Sequence, residues 1–250
     1  MTQALRAIWR LLRTLLHIVQ AVLRCGLLFP FLDGPARLQQ VQRWCVGLLR
    51  CLDITVHTTG SVHAGPVLVV ANHISWLDIL AIIAVHPVRF VSKSDVKHWP
   101  VLGWIVACGG TLFIEREKKR DALRVVHHIA EALNAGNAVA IFPEGTTTDG
   151  HALLPFHANL LQAAIATDTP VQPIALRYSD AATPISAAAA YVGDTTLLQS
   201  LWKVATASKL RVSVRVLPPE GTRHLDRRAL TEKVRGEIEA ALEQPAVRSL

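Results

Sequence analysis

A chain of 250 residues is long enough for one sizeable domain with its own core. It is 51% hydrophobic with a mean hydropathy of +0.32, too lean for a polytopic membrane protein, and it lacks the roughly 18 uninterrupted apolar residues of a confident spanning helix. The formal charge of +7 is concentrated in residues 1–52, where seven Arg stand against Asp33 alone, with no Lys and no Glu. A basic, apolar N-terminus on a nearly neutral remainder points to an anionic membrane surface. It points away from nucleic acid, since no basic and aromatic interleaving follows.

From Gln3 to about Phe29 the polar residues Arg6, Arg10, Arg13, His17, Gln20 and Arg24 recur every three or four positions, one narrow stripe on a helix whose remaining surface is apolar. Such a helix suits the membrane interface, with its apolar face in the acyl boundary and its arginines at the headgroups. A helix buried against the domain, a coiled-coil partner, or a tilted pair that spans weakly stays open. The same arginines argue against a secretory signal. Pro30 and Asp33-Gly34-Pro35 end the helix, and a second runs from about Ala36 to Leu52. Residues 1–52 therefore read as a membrane-associated helical hairpin and residues 53–250 as the main domain. Cys25, Cys45, Cys51 and Cys108 show neither C-x-x-C nor zinc spacing and read as buried free thiols in a reducing cytosol. No metal site is expected.

Beyond residue 52, apolar β-branched runs alternate with helical patterns. The strands are predicted at Ile54–Thr59, Val67–Ala71, Val88–Ser92, Thr111–Glu115, Ala138–Phe142, Val171–Tyr178 and Leu210–Leu217. Helices are predicted at Trp76–Val85, Lys118–Ala135, Asn159–Thr167, Thr195–Ser208 and Asp226–Glu243, with Ala181–Ala190 as a loop or edge element. The fold class is α/β, a mixed and largely parallel sheet flanked by helices.

Three predicted strands end in polar groups: Val67–Ala71 in Asn72-His73, Thr111–Glu115 in Arg116, and Ala138–Phe142 in Pro143-Glu144-Gly145-Thr146. Open α/β sheets bind ligands outside the carboxyl ends of their strands. Parallel neighbours would bring His, Arg and Glu to one edge. His73 and Asp78 are five residues apart, about 140° around a continuous helix, so they cannot meet on one. They meet if His73 lies in the turn after the strand, Ser75 caps the helix, and Asp78 sits in its first turn. Asp78 would then hold the imidazole tautomer as the carboxylate of a Ser-His-Asp triad does, and an imidazole suits base work near neutral pH. No G-x-S-x-G nucleophile is present, and the hydroxyl of an acceptor substrate can fill that place. The bland alternative is a structural strand-to-helix turn with a capping His. His127-His128 reads as a polar helix face, His157 as packing or capping, Glu117–Arg120 as a solvated helix start and Asn72 as structural.

His73-x4-Asp78, Gly110-Thr-Leu-Phe-Ile-Glu-Arg116, Phe142-Pro-Glu-Gly-Thr146 and Val171-Gln-Pro-Ile174, in this order, resemble the four motifs of the glycerolipid acyltransferases, the 1-acylglycerol-3-phosphate acyltransferase family. Lys93 with Pro100 and Gly103 matches a stretch between the first two. The resemblance spans roughly residues 54–217. It implies acyl transfer from acyl-CoA or acyl-carrier protein to a lysolipid hydroxyl, with no cofactor and no metal, at the cytoplasmic face of a bacterial inner membrane. It implies His73 as general base and Asp78 as its partner, Arg116 and Lys93 as cations for an anionic head group, and Glu144, Gly145 and Thr146 lining the acceptor site. Backbone N–H groups near Gly145 would face the oxyanion. Two positions depart from the family: Thr147-Thr148 follows Glu-Gly-Thr where Arg or Ser is common, and Phe156-His157-Ala158-Asn159 replaces Phe-Lys-x-Gly. Both bring a lyso-ornithine lipid or another lysolipid forward beside 1-acylglycerol-3-phosphate. A non-catalytic lipid-binding protein and a hydrolase that activates water are the readings from other classes.

Overall fold

The structure, a computed structural model, describes residues 2–93, 97–98, 101–114 and 119–244. Two N-terminal helices, α1 (Gln3–Leu27) and α2 (Gly34–Cys51), precede the sheet and are joined through a short 3-10 turn at Phe29–Phe31. Asp33 caps α2 by accepting from the Ala36 N–H at 2.8 Å. The strands are β1 (Thr55–Thr59), β2 (Val67–Ala71), β3 (Arg89–Lys93), β4 (Leu112–Ile114), β5 (Ala138–Ile141), β6 (Val171–Ser179) and β7 (Arg211–Val216). Between and after them come α3 (Leu77–Val85), α4 (Leu102–Cys108), α5 (Lys119–Asn134), α6 (Gln162–Ala166), α7 (Leu197–Thr206) and α8 (Arg227–Glu243).

The sheet has the order β1-β7-β6-β2-β5-β3-β4. Every neighbouring pair is parallel except β6 with β7, so the sheet is mixed and largely parallel. β2 lies near its middle, and all five of its residues are buried, as an unalternating Val67-Leu-Val-Val-Ala71 requires. Buried side chains divide between the two faces. Leu77, Ile82, Phe90 and Tyr178 belong to the cluster under α2 and α3, and Ile129, Leu133, Leu161 and Ile238 to the one under α5, α6 and α8. Because β2, β5 and β3 are parallel neighbours, their carboxyl ends open on one edge.

Three local expectations change. α4 was not predicted: only seven residues long, it follows the left-handed Val101 (φ 64°) and its apolar run carries no helical period. The predicted helix at Asn159–Thr167 begins as a 3-10 turn, Ala158–Leu161, before α6. The inward and outward sides of α1 also depart from expectation. Its buried line is Ala7, Arg10, Thr14, Ala21 and Cys25, while Leu5, Ile8, Trp9, Leu12, Leu15, Leu16, Val19, Leu23 and Leu27 are exposed. Arg10, expected at the headgroups, points inward, donates to the carbonyls of Ala205 and Ala207 at 2.8 and 2.7 Å, and pairs with Asp53. His17 and Trp44 clamp α1 to α2 with two reciprocal side-chain-to-backbone bonds of 2.9 and 3.0 Å. A Cβ on Gly47 would lie 2.5 Å from the His17 ring, so only glycine admits this approach. Among the described residues no helix is long and apolar enough to cross a membrane.

Candidate active site

His73 and Asp78 meet where β2 turns into α3. His73 Nδ1 lies 2.8 Å from Asp78 Oδ2, and that oxygen also accepts from the Ile74 and Ser75 N–H groups at 2.6 and 2.8 Å. Asp78 occupies the first turn of α3, where a carboxylate side chain binds free backbone donors. The expected Ser75 cap is not made: its Oγ is buried with no partner among the described residues, and Asp78 instead holds the N–H groups of the turn that precedes the helix. Oδ2 accepts, so Nδ1 is the donor, which turns Nε2 into the acceptor on the far side of the ring. Asp78 is fully buried, whereas the His73 side chain remains 19% exposed.

The loop after β5 holds this turn from the other side. The His73 N–H donates to Glu144 Oε1 at 2.7 Å, and the His73 carbonyl accepts from the Thr148 N–H at 2.8 Å. Glu144 Oε2 accepts from the Leu154 N–H at 2.9 Å. Burial pushes the Glu144 carboxyl upward, and the N–H groups of Leu154 and His73 pull it back. Glu144 was expected to line the acceptor site. It is 4% exposed with both oxygens taken by backbone donors, so it reaches the site through His73. Gly145, at φ 72°, donates its N–H to the Phe142 carbonyl at 3.2 Å, closing a tight turn that favours glycine. That N–H is therefore committed. Thr146 is exposed beside it.

Sequence reasoning missed several contacts. The Phe142 ring lies on the His73 imidazole, with centroids 3.9 Å apart and planes within 5°. A strand-end aromatic on the strand beside β2 was the available signal. Tyr178, fully buried on β6, is pushed well above the usual phenol range by burial and by the neighbouring Asp78 charge. Asn72 spans β2 and β6 with bonds to the Leu176 backbone of 3.0 and 2.7 Å, the structural role expected of it. The Thr147 hydroxyl donates to the Tyr191 carbonyl. His157 packs over Gly145, where a Cβ would sit 3.2 Å from its ring. The backbone of Lys93 ends β3 on the same sheet edge, two strands from His73. Arg116 lies outside the described residues.

Residues 53–177, half of the chain, match the profile of a family described as acyltransferase. A lyso-ornithine lipid O-acyltransferase of Pseudomonas aeruginosa is 36% identical over 208 residues, 83% of this chain and 80% of that protein. The chain belongs to the acyltransferase family. A second relative of this acyltransferase, the 1-acyl-sn-glycerol-3-phosphate acyltransferase of Neisseria meningitidis serogroup B, is 39% identical over 203 residues, covering 80% of this chain and 79% of the other. The crystal structure of the 1-acyl-sn-glycerophosphate acyltransferase PlsC from Thermotoga maritima shares the acyltransferase's fold with a TM-score of 0.74, over 99% of this chain and 98% of that one, at 18% identity. The protein is thus an acyltransferase of the lysophospholipid type.

Proposed function

We propose that this acyltransferase moves a fatty acyl chain from the thioester of acyl-CoA or acyl-carrier protein to the free hydroxyl of a lysolipid, 1-acylglycerol-3-phosphate first among them, giving phosphatidic acid. The observation that carries the reading is the 2.8 Å His73–Asp78 bond, with Asp78 buried and triply bonded, at the shared carboxyl edge of β2 and β5. His73 Nε2 accepts the proton of the acceptor hydroxyl as its oxygen attacks the thioester carbonyl. Asp78 orients the ring and stabilises the imidazolium. When the tetrahedral intermediate collapses the C–S bond breaks, and the imidazolium returns the proton to the leaving thiolate. One ester and one thiol result. Lys93 and Arg116 serve as cations for an anionic head group, and the Arg116 fork suits a phosphate. Thr146 lines the acceptor side.

The exposed apolar side of α1, with Arg6 and Arg13 also exposed, supports a peripheral position on an anionic membrane, at the cytoplasmic face of the inner membrane. Trp76 Nε1 donates to Ser200 Oγ at 3.0 Å, which ties the His73 turn to α7, the helix against which α1 packs. Acceptor and enzyme then meet at one surface.

A lyso-ornithine lipid is the second acceptor reading. Thr147 and Thr148 are neutral and spend their polar groups on Tyr191 and His73, so the position where the family often carries Arg supplies no charge. The deciding assay offers the purified protein each lysolipid with acyl-CoA or acyl-carrier protein, following thiol release and diacyl product. His73→Ala is expected to lower transfer at least ~10²-fold while vesicle binding survives. A His73→Ala protein that transfers at the parental rate ends this reading. Free fatty acid without diacyl lipid would indicate a hydrolase, and no thiol release a binding protein.

A further inference from the structure

We infer that Phe142 is a positioning residue of the acyl transfer, stacked on His73 so that its ring face stabilises the imidazolium formed as the acceptor loses its proton. The inference rests on the reading of His73 as the base. The two rings are nearly parallel, with centroids 3.9 Å apart. The geometry puts a developing cation over the negative face of a benzene ring, well inside the ~6 Å reach of a cation–π attraction. Phe142 is itself braced. Phe90, buried on β3, stacks against it with centroids 5.4 Å apart. Three adjacent parallel strands supply these three rings: β2 runs into His73, β5 into Phe142, and β3 carries Phe90. Asp78 fixes the edge of the imidazole through Nδ1, and Phe142 fixes its plane. Together they leave Nε2 one direction in which to work.

The stack is made in the neutral state and strengthens when the ring becomes charged. It therefore favours the transition state over the ground state, which is the condition for raising kcat. Removing the ring face weakens the protonated form, so the acid limb of the pH–rate profile moves to lower pH and the plateau rate falls. Among the described residues, the other titratable groups around His73 are Asp78 on α3, Glu144 on the loop after β5 with His157 over the neighbouring Gly145, and Tyr178 behind Asp78 on β6. All of them stay in place in the variants below.

Phe142→Leu is expected to lower kcat/KM by about 3- to 30-fold and to move the acid limb down by about 0.5–1 pH unit. Phe142→Trp, with the stronger ring face, is expected to keep the limb where it is or raise it. Pentafluorophenylalanine at 142 preserves shape and packing while reversing the charge of the ring face. It should move the limb down as Leu does, with thermal stability held. If pentafluorophenylalanine gives the parental rate and limb, Phe142 only packs and the inference is overturned, even where Phe142→Leu fails to fold. His73→Ala separates this from the parent reading. If His73→Ala is active, the base assignment itself fails. If His73→Ala is dead and the limb of the fluorinated protein stays put, only the stacking role fails.

Discussion

Asp78 Oδ2 takes three N–H donors from three consecutive residues, and this holds His73 firmly in the turn just before α3. Two of those donors are the Ile74 and Ser75 N–H groups of the buried turn that leads from β2 into α3, which would otherwise lack an acceptor. Folding the turn and building the dyad are therefore one event. Glu144 does the same from the facing loop by holding the His73 and Leu154 N–H groups. Glu144→Gln keeps the shape but turns an amide NH2 toward one of those donors. The unpaired donor costs about 1–3 kcal/mol, and the turn loosens. Transfer by Glu144→Gln is expected to show kcat lowered roughly 10- to 100-fold with the KM for the lysolipid almost unchanged. Acceptor saturation curves check this, and a raised KM at parental kcat would return Glu144 to the acceptor-binding surface. The dyad was legible in the sequence because its chemistry depends on residue type and spacing. Glu144's role was not, because both its partners are backbone N–H groups that every residue carries. Gly145 was visible as a turn, but not that its N–H is spent within it.

At the scale of elements, an apolar period marks two sides of a helix without saying which one meets protein. On α1 the polar stripe turned out to contain the docking residues, because Arg10 and His17 find carbonyl acceptors on α7 and α2 while the leucines find none. The central strand β2 was readable for the opposite reason: it is apolar on every side, which only a sheet covered on both faces permits. The C-terminal helix α8 carries a titrating contact of its own. Glu237 is pushed up to about 7 by burial and then by the adjacent Glu220, which also pairs with Lys233. Glu220 is bonded in both directions to the Val171 backbone, at 2.8 and 2.7 Å, so this cluster anchors α8 to the start of β6. Between the ordinary Glu value of 4.5 and about 7 the folded state keeps a proton that the unfolded state has lost. Stability therefore falls as pH rises through that window. Glu237→Gln removes the titration. Its thermal midpoint should decline less than the parent's from pH 5 to pH 8, making the variant the more stable protein at the upper end. Melting curves across that range check it, and parallel midpoints would show that Glu237 titrates normally.

For the whole molecule, many of the exposed apolar side chains gather on and around α1. Leu198 and Trp202 lie on α7, and Val101 and Trp104 at α4, two of the helices that α1 contacts. Trp104 packs within 3.6 Å of a Cβ placed on Gly26, so α4 continues the α1 surface. A surface this apolar needs cover, and its basic companions Arg6 and Arg13 make an anionic lipid interface the fitting one. Each arginine near such a surface adds about 1 kcal/mol, and each immersed leucine about 1.5–3 kcal/mol. Leu12, Leu15 and Leu16 are exposed and outside the core, so changing all three to Glu is expected to weaken membrane binding while the fold is kept. The triple variant is expected to partition at least ~100-fold more weakly onto phosphatidylglycerol-containing vesicles. It should keep its melting temperature and its activity on lysolipid dispersed in detergent. Vesicle co-sedimentation beside a detergent assay separates the two effects. Loss of activity in both would place these leucines in the catalytic unit, and equal sedimentation of parent and variant would move the membrane contact off α1. Because Trp76 couples the His73 turn to α7 directly beneath this helix, the vesicle assay should lose acyl transfer in step with binding.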